Sequence, residues 1–302
     1  MWSIISFRTR EDKLKGRLVC TAKFYLDLNR RFLDFIRRYL PATRPYFYDP
    51  RPLVLTRADA VVSWSAKSAS AQLVAWYLIV EGLSDEAFAD HYWPHQYRER
   101  TLYLKPDFRD ALARLRRSRG RGWSLIRVMR SPLNRLVSSY RHALLFGYAD
   151  KEMSRVLGRK ISSSKGFSIA TFLEFLEKID IWTCDLHYRA QVNRIDALPF
   201  DNVFIINVNQ TDLFEELNKV ESRLGLRRTE FDKIRYFADI GKKHHSRQST
   251  GDDFDNLFTR IFSHSDAEKE WPGKQLRAVP EVQSAVAKIY AEDYNFLNAG
   301  QD

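Results

Sequence analysis

The chain has 302 residues, with 49 Lys and Arg against 38 Asp and Glu, for a formal net charge of +11. Its 44% hydrophobic and 14% aromatic content suffices for a buried core and excludes general disorder, and 12 Gly with 10 Pro exclude collagen-like and low-complexity chains. There is no apolar run of about 18 residues to cross a membrane. Met1–Ile5 lacks the basic-then-apolar signature of a secretory signal, and Cys20 and Cys184 are too few for a disulfide framework or a zinc site. These features set the expectation of a cytoplasmic protein with reduced thiols. The positive excess implies an anionic partner: nucleic acid, a membrane surface, or a phosphorylated or sulfated small molecule.

Residues 17–40 read as an amphipathic helix, with Leu28, Phe32, Phe35, Ile36 and Tyr39 on one face and Arg30, Arg31, Arg37 and Arg38 beside it. Pro41, Pro45, Pro50 and Pro52 end it. A short buried strand is expected over 59–64, followed by the small-residue loop Ser65-Ala66-Lys67-Ser68-Ala69-Ser70 and a helix carrying Leu73, Val74, Trp76, Tyr77, Ile79 and Val80 up to Gly82. Residues 107–117 read as a helix leading into an arginine cluster at 114–121. A second strand, Trp123–Arg130, runs into a helix with Ser131 as N-cap and Pro132 at its first position, ending near Gly147. A loop over 158–167, a helix over 168–179, a strand over 203–208 and a helix over 212–224 follow. Residues 239–253 read as loop, and helices at 254–263 and 281–297 close the chain. Alternating strands and helices predict an α/β protein with a mainly parallel sheet.

Two segments carry chemistry. Backbone N–H groups at a helix N-terminus cradle an anion, small side chains at 65–70 let it approach closely, and Lys67 adds a mobile charge. This is phosphate-loop logic without the Walker spacing of glycines. The second segment, Arg130-Ser131-Pro132-Leu133-Asn134-Arg135-Leu136-Val137-Ser138-Ser139-Tyr140-Arg141, ends a strand with an arginine and places Ser138 about two helical turns on, near the face of Arg135 and Arg141. A guanidinium and a hydroxyl together suit one phosphate.

Strand–Lys-Ser-Ala-Ser–helix followed by strand–Arg-Ser-Pro-x-x-Arg-x-x-Ser–helix resembles the sulfotransferases that use 3′-phosphoadenosine 5′-phosphosulfate (PAPS), above all their carbohydrate branch, Golgi-type and bacterial. Ser131 stands where that branch has Asp. The resemblance spans about residues 57–250 and implies a P-loop-NTPase-like three-layer fold with a central mainly parallel sheet flanked by helices. It implies one domain over 1–302, with 1–52 an amphipathic helical extension and 53–302 the PAPS-binding core. The phosphosulfate falls to Ser65, Ala66, Lys67, Ser68, Ala69 and Ser70, and the 3′-phosphate to Arg130 and Ser138. The resemblance further implies Lys67 as the catalytic cation, adenosine 3′,5′-bisphosphate as product, and no metal. Weaker echoes are Asp185-Leu186-His187-Tyr188-Arg189-Ala190-Gln191 and the basic run 242–247. The acceptor is expected to be a hydroxyl of a carbohydrate or a lipid-linked glycan, with room for peripheral membrane association and none for nucleic acid. Its general base is expected among His95, His91, Glu99 and His187, in that order, and Tyr92, Trp93 and Tyr97 can stack on a sugar. Competing readings are a kinase on the same fold, disfavoured by the missing Walker glycines and Mg²⁺ ligand, and a non-catalytic basic nucleotide- or nucleic-acid-binding protein.

Overall fold

The computed structural model describes residues 51–90, 93–243, 256–269 and 271–299. The expected helix at 17–40, His91, and the basic run from 244 lie outside them. The chain divides into two compact units. One unites 1–47 with 194–198, and its described part contains a single 3-10 turn, Arg194–Ala197. The other is an α/β unit built on a mixed, mostly parallel four-stranded sheet flanked by helices.

That sheet runs in the order β1 (Leu53–Leu55), β2 (Ala60–Trp64), β3 (Ser124–Met129), β5 (Asn202–Asn207). β1 is antiparallel to β2, whereas β2, β3 and β5 are parallel, with Val62 opposite Ile126 and Ile126 opposite Phe204. Every residue of β2 and β3 is buried, as expected of strands covered on both faces. β5 is partly exposed because it is the sheet edge. The three parallel strands match the predicted ones to within one residue at each end. β1 falls where an extended proline-rich connection was expected, since the three residues Leu53–Leu55 are too few to show a period.

The crossovers supply the helices. After β2 come α1 (Ser70–Val80), α2 (Ser84–Asp90), α3 (Pro94–Arg100) and, beyond a 3-10 turn at Leu102–Leu104, α4 (Pro106–Ser118). α5 (Pro132–Phe146) follows β3, with Pro132 in its first turn and Gly147 left-handed at its end. α6 (Asp150–Leu157) and α7 (Ile169–Glu177) follow, the latter capped by the Ser168 hydroxyl, which accepts from Thr171 N–H. β5 leads to α8 (Leu213–Arg223), capped by the Asp212 carboxylate, and then to α9 (Arg235–Lys243). α1 is buried on nearly every side, and the indole of Trp76 donates to Glu221 Oε1 at 2.7 Å. Both are fully buried, and Glu221 also accepts from Thr229 N–H. Trp76→Phe removes a donor from a buried carboxylate and is expected to lower unfolding free energy by about 2–4 kcal/mol in a urea titration.

The C-terminal third departs from expectation. Within 256–263 there is no helix: 256–259 turn, and Ile261–Phe262 (β6) pairs antiparallel with Phe167–Ser168 (β4). Apolar Leu257, Phe258, Ile261 and Phe262 mimic a helical stripe. The chain instead extends beside 167–168, and the close approach is one a side chain at Gly166 would block, since Phe262 O stands 2.6 Å from where its Cβ would be. The expected loop starts later than 239, since α9 runs to Lys243. The expected helix 281–297 is two, α12 (Pro280–Ile289) and α13 (Ala291–Ala299), broken at Tyr290, whose hydroxyl donates to Tyr188 O at 2.6 Å. α10 (His264–Lys269) and α11 (Gly273–Ala278) precede them. Tyr140 of α5 centres the core here, touching the rings of Phe167, Phe172 and Trp271. No helix among the described residues is long and apolar enough to cross a membrane.

Candidate active site

A parallel sheet gathers ligand-binding groups at the carboxyl ends of its strands. There, beyond β2 and β3, lies a cavity of about 1140 Å³. Trp64, Ala66, Lys67, Ala69 and Ser70 enter it from the β2–α1 loop, and Arg130, Asn134, Ser138, Arg141 and His142 from the end of β3 and one stripe of α5. Among the described residues, Lys67, Arg98, Arg130, Arg141, Lys274 and Arg277 line it against two carboxylates, Glu99 and Asp212. The lining is therefore positive.

The loop contains no glycine, yet Lys67 (φ 69°) and Ala69 (φ 56°) both adopt the left-handed conformation. A β-carbon there costs about 1–2 kcal/mol per residue, and such strain persists only where its surroundings enforce it. Here Ser68 N–H donates to Ser65 O (3.2 Å), Arg135 Nε donates to Ala66 O (3.0 Å), and Arg130 Nη1 donates to Lys67 O (3.1 Å). The first intrahelical bond runs from Leu73 N–H to Ala69 O, so Ser70, Ala71 and Gln72 keep N–H groups with no intrahelical acceptor. No side chain caps this end and no acid stands in its first turn. The result is a positive backbone concavity, with Lys67 beside it.

Lys67 is half-buried, and burial, then the nearby charges of Arg130, Arg141 and Arg135, bring its pKa down to about 8. Arg130 is lowered to about 10, by burial first and then by Arg277 and Arg135, so it remains a cation at neutral pH. Cations that depress one another in a cavity are relieved by a bound anion.

Not every predicted residue reaches the cavity. Ser65 and Ser68 are buried and absent from its lining, and the Ser68 hydroxyl donates to Gln191 Oε1 at 3.3 Å. Arg135 is 2% exposed and spends its guanidinium on the carbonyls of Ala66, Arg189 and Leu186, tying three segments together rather than facing a ligand. Arg141 does line the cavity, although its Nε is held by Ala267 O at 2.9 Å.

Gln191 is the residue that sequence reasoning underrated. Its Oε1 accepts from Arg130 N–H (3.0 Å) as well as from Ser68, while its Nε2 donates to Arg130 O (2.7 Å). Its own N–H is anchored on the buried carboxylate of Asp293 at 2.8 Å. Gln191 thus braces the end of β3 against the loop after β2. Lys274 and Arg277, from α11, went unnoticed because nothing in their local pattern links them to the two motifs.

Three of the proposed bases are described. His95 receives a hydrogen bond from Arg98 Nη1 on its Nδ1 (2.9 Å), and burial, then the Arg98 charge, lower it to about 3. It is therefore neutral at physiological pH, with its one hydrogen on Nε2 and its one lone pair occupied. Glu99 is hydrogen-bonded to Arg98. His187 differs: its Nδ1 meets Asp185 Oδ1 at 2.8 Å and its backbone N–H donates to the same oxygen at 2.9 Å. Burial would raise Asp185, but these bonds from His187 outweigh it and hold the carboxylate below its usual range. With Nδ1–H on the carboxylate, Nε2 presents a lone pair. The ring stacks on His142 (centroids 4.5 Å), and both imidazoles line the cavity.

Comparison with protein-family models, with characterised proteins and with solved structures finds no match to this chain.

Proposed function

We propose that this chain is a sulfotransferase that moves the sulfuryl group of PAPS to a hydroxyl of a carbohydrate or glycan-like acceptor, on a P-loop-like three-layer fold. One observation carries the reading: two anion-gripping clusters stand at the carboxyl ends of adjacent parallel strands, face one cavity and are locked to each other through Gln191. The donor has two anionic ends, and the residues fit both. The N–H groups of 70–72 and Lys67 would hold the phosphosulfate, and Arg130 and Ser138 the 3′-phosphate, with Arg277 close enough to feel Arg130's charge. The donor supplies an activated sulfuryl group.

This chain's own residues do the rest. Lys67 and the loop N–H groups stabilise negative charge that builds on the leaving side. His187, oriented by Asp185, takes the acceptor's proton at Nε2. His95, which sequence order favoured, instead presents an Nε2–H donor.

Calorimetry with adenosine 3′,5′-bisphosphate in metal-free buffer tests the reading. Wild type is expected to bind it more tightly than ATP with Mg²⁺. Arg130→Ala, which removes a charged hydrogen-bonding group worth about 1.5–3 kcal/mol, weakens that binding by one to two orders of magnitude. Absence of bisphosphate binding by wild type sinks the proposal.

A further inference from the structure

The cavity uses only part of the positive charge. Among the described residues a second group of cations lies at the opposite edge of the sheet, where β3 and β5 begin, about 20 Å away along the strands. Arg114 and Arg117 end α4, Arg121 sits in the turn before β3, Arg57 in the turn between β1 and β2, and Arg227 and Arg228 just past α8; all six are exposed. Short bonds join these segments. Arg114 pairs with Asp59 (3.5 Å) and lies over the Trp123 ring (5.6 Å), and Gly122 N–H donates to Asp201 Oδ1 (3.1 Å) at the start of β5. Arg223, in the last turn of α8, lies over Phe204 of β5 (5.8 Å). Asp59 faces Arg114, Asp201 accepts from Gly122 N–H, Glu81 accepts from Thr56 N–H and hydroxyl, and Glu230 pairs with Lys233; Asp110 is exposed on α4.

Cations in a last helical turn answer the helix dipole. That accounts for Arg117 but not for Arg57 and Arg121, which lie in turns, or for Arg227 and Arg228, in the irregular segment after α8. We propose that this edge docks on an anionic lipid surface, leaving the cavity turned toward the aqueous side. A bilayer is favoured over nucleic acid by what surrounds the arginines. Single strands stack on exposed aromatics, and the exposed large apolar residues among those described include only Val203 at this edge. Duplexes take a helix or ribbon into a groove, whereas this edge presents turns and helix C-termini. Guanidinium groups around one apolar side chain suit a headgroup layer.

The test is co-sedimentation of the full chain with vesicles of phosphatidylcholine alone or with about 30 mol% phosphatidylserine. Wild type is expected to partition onto the anionic vesicles only, and to leave them when salt rises from about 0.1 to about 0.5 M. R117E/R121E loses at least about 25-fold in partitioning, roughly five-fold for each arginine removed. Its affinity for adenosine 3′,5′-bisphosphate is unchanged, which reports that it folds and separates this surface from the donor site. If that variant fails to fold, R227E/R228E replaces it. Equal partitioning onto neutral vesicles, or no loss in the variants, overturns the proposal. Displacement from anionic vesicles by an equal charge of duplex DNA also overturns it and assigns the edge to nucleic acid.

Discussion

Lys67→Met is expected to yield a protein more stable than wild type in the absence of ligand and unable to hold the donor. In the folded chain Lys67 titrates near 8, against 10.5 for an ordinary lysine. Below pH 8 it carries a full charge that its surroundings disfavour, so folding bears a cost of order 3 kcal/mol. Between pH 8 and 10.5 the unfolded chain holds the proton and the folded chain does not, so wild-type stability rises with pH through that window. The methionine variant removes the charge while keeping the length and the β-carbon at φ 69°, so backbone strain is unchanged. Its melting temperature should exceed that of wild type by several degrees at pH 7, with the gap closing toward pH 10. Bisphosphate affinity falls at the same time. In wild type that affinity is constant up to about pH 8 and then declines about tenfold per unit, because binding must take up a proton. A variant that melts no higher than wild type, or binds as well, refutes the role given to Lys67.

His187→Ala should cut turnover by roughly 10²–10⁴, the range for a lost general base, with bisphosphate affinity changed less than about threefold. His95→Ala, in contrast, should lower turnover less than about tenfold, because its Nδ1 lone pair already serves Arg98. Asp185→Asn keeps the shape but no longer fixes the tautomer of His187, and should lower turnover with bisphosphate affinity changed less than about threefold. Incorporation of labelled sulfate from PAPS into a glycan panel measures all three. Greater loss in the His95 variant than in the His187 variant would reverse the assignment of the base.

The elements that position the site were legible because their signals are local. Five consecutive apolar or small residues followed by Ser-Ala-Lys-Ser mark a buried strand and its turn, and Ser131-Pro132 marks a helix start. The end of α5 was legible for the same reason, since Gly147 supplies the left-handed cap. What depended on distant partners was not. Arg135 and Ser138 have the same helical register, yet one is consumed by three backbone carbonyls and the other lines the cavity. β6 is a strand only because β4 lies beside it. The two histidines differ on the same ground: an Asp two residues before His187 engages that ring's Nδ1, and an Arg three residues after His95 occupies the Nδ1 of the other.

Gln191 gives the cavity a ruler. One amide joins the β2 loop to the end of β3, and its backbone is pinned by a carboxylate with no exposure at all. The two anion grips therefore cannot slide relative to each other to suit a shorter or longer ligand. On the proposed reading a nucleotide lacking one phosphate is expected to lose a whole grip, a loss that calorimetry with adenosine 5′-monophosphate beside adenosine 3′,5′-bisphosphate measures. Gln191→Ala would leave every ligand-contacting side chain in place and still blur that distinction.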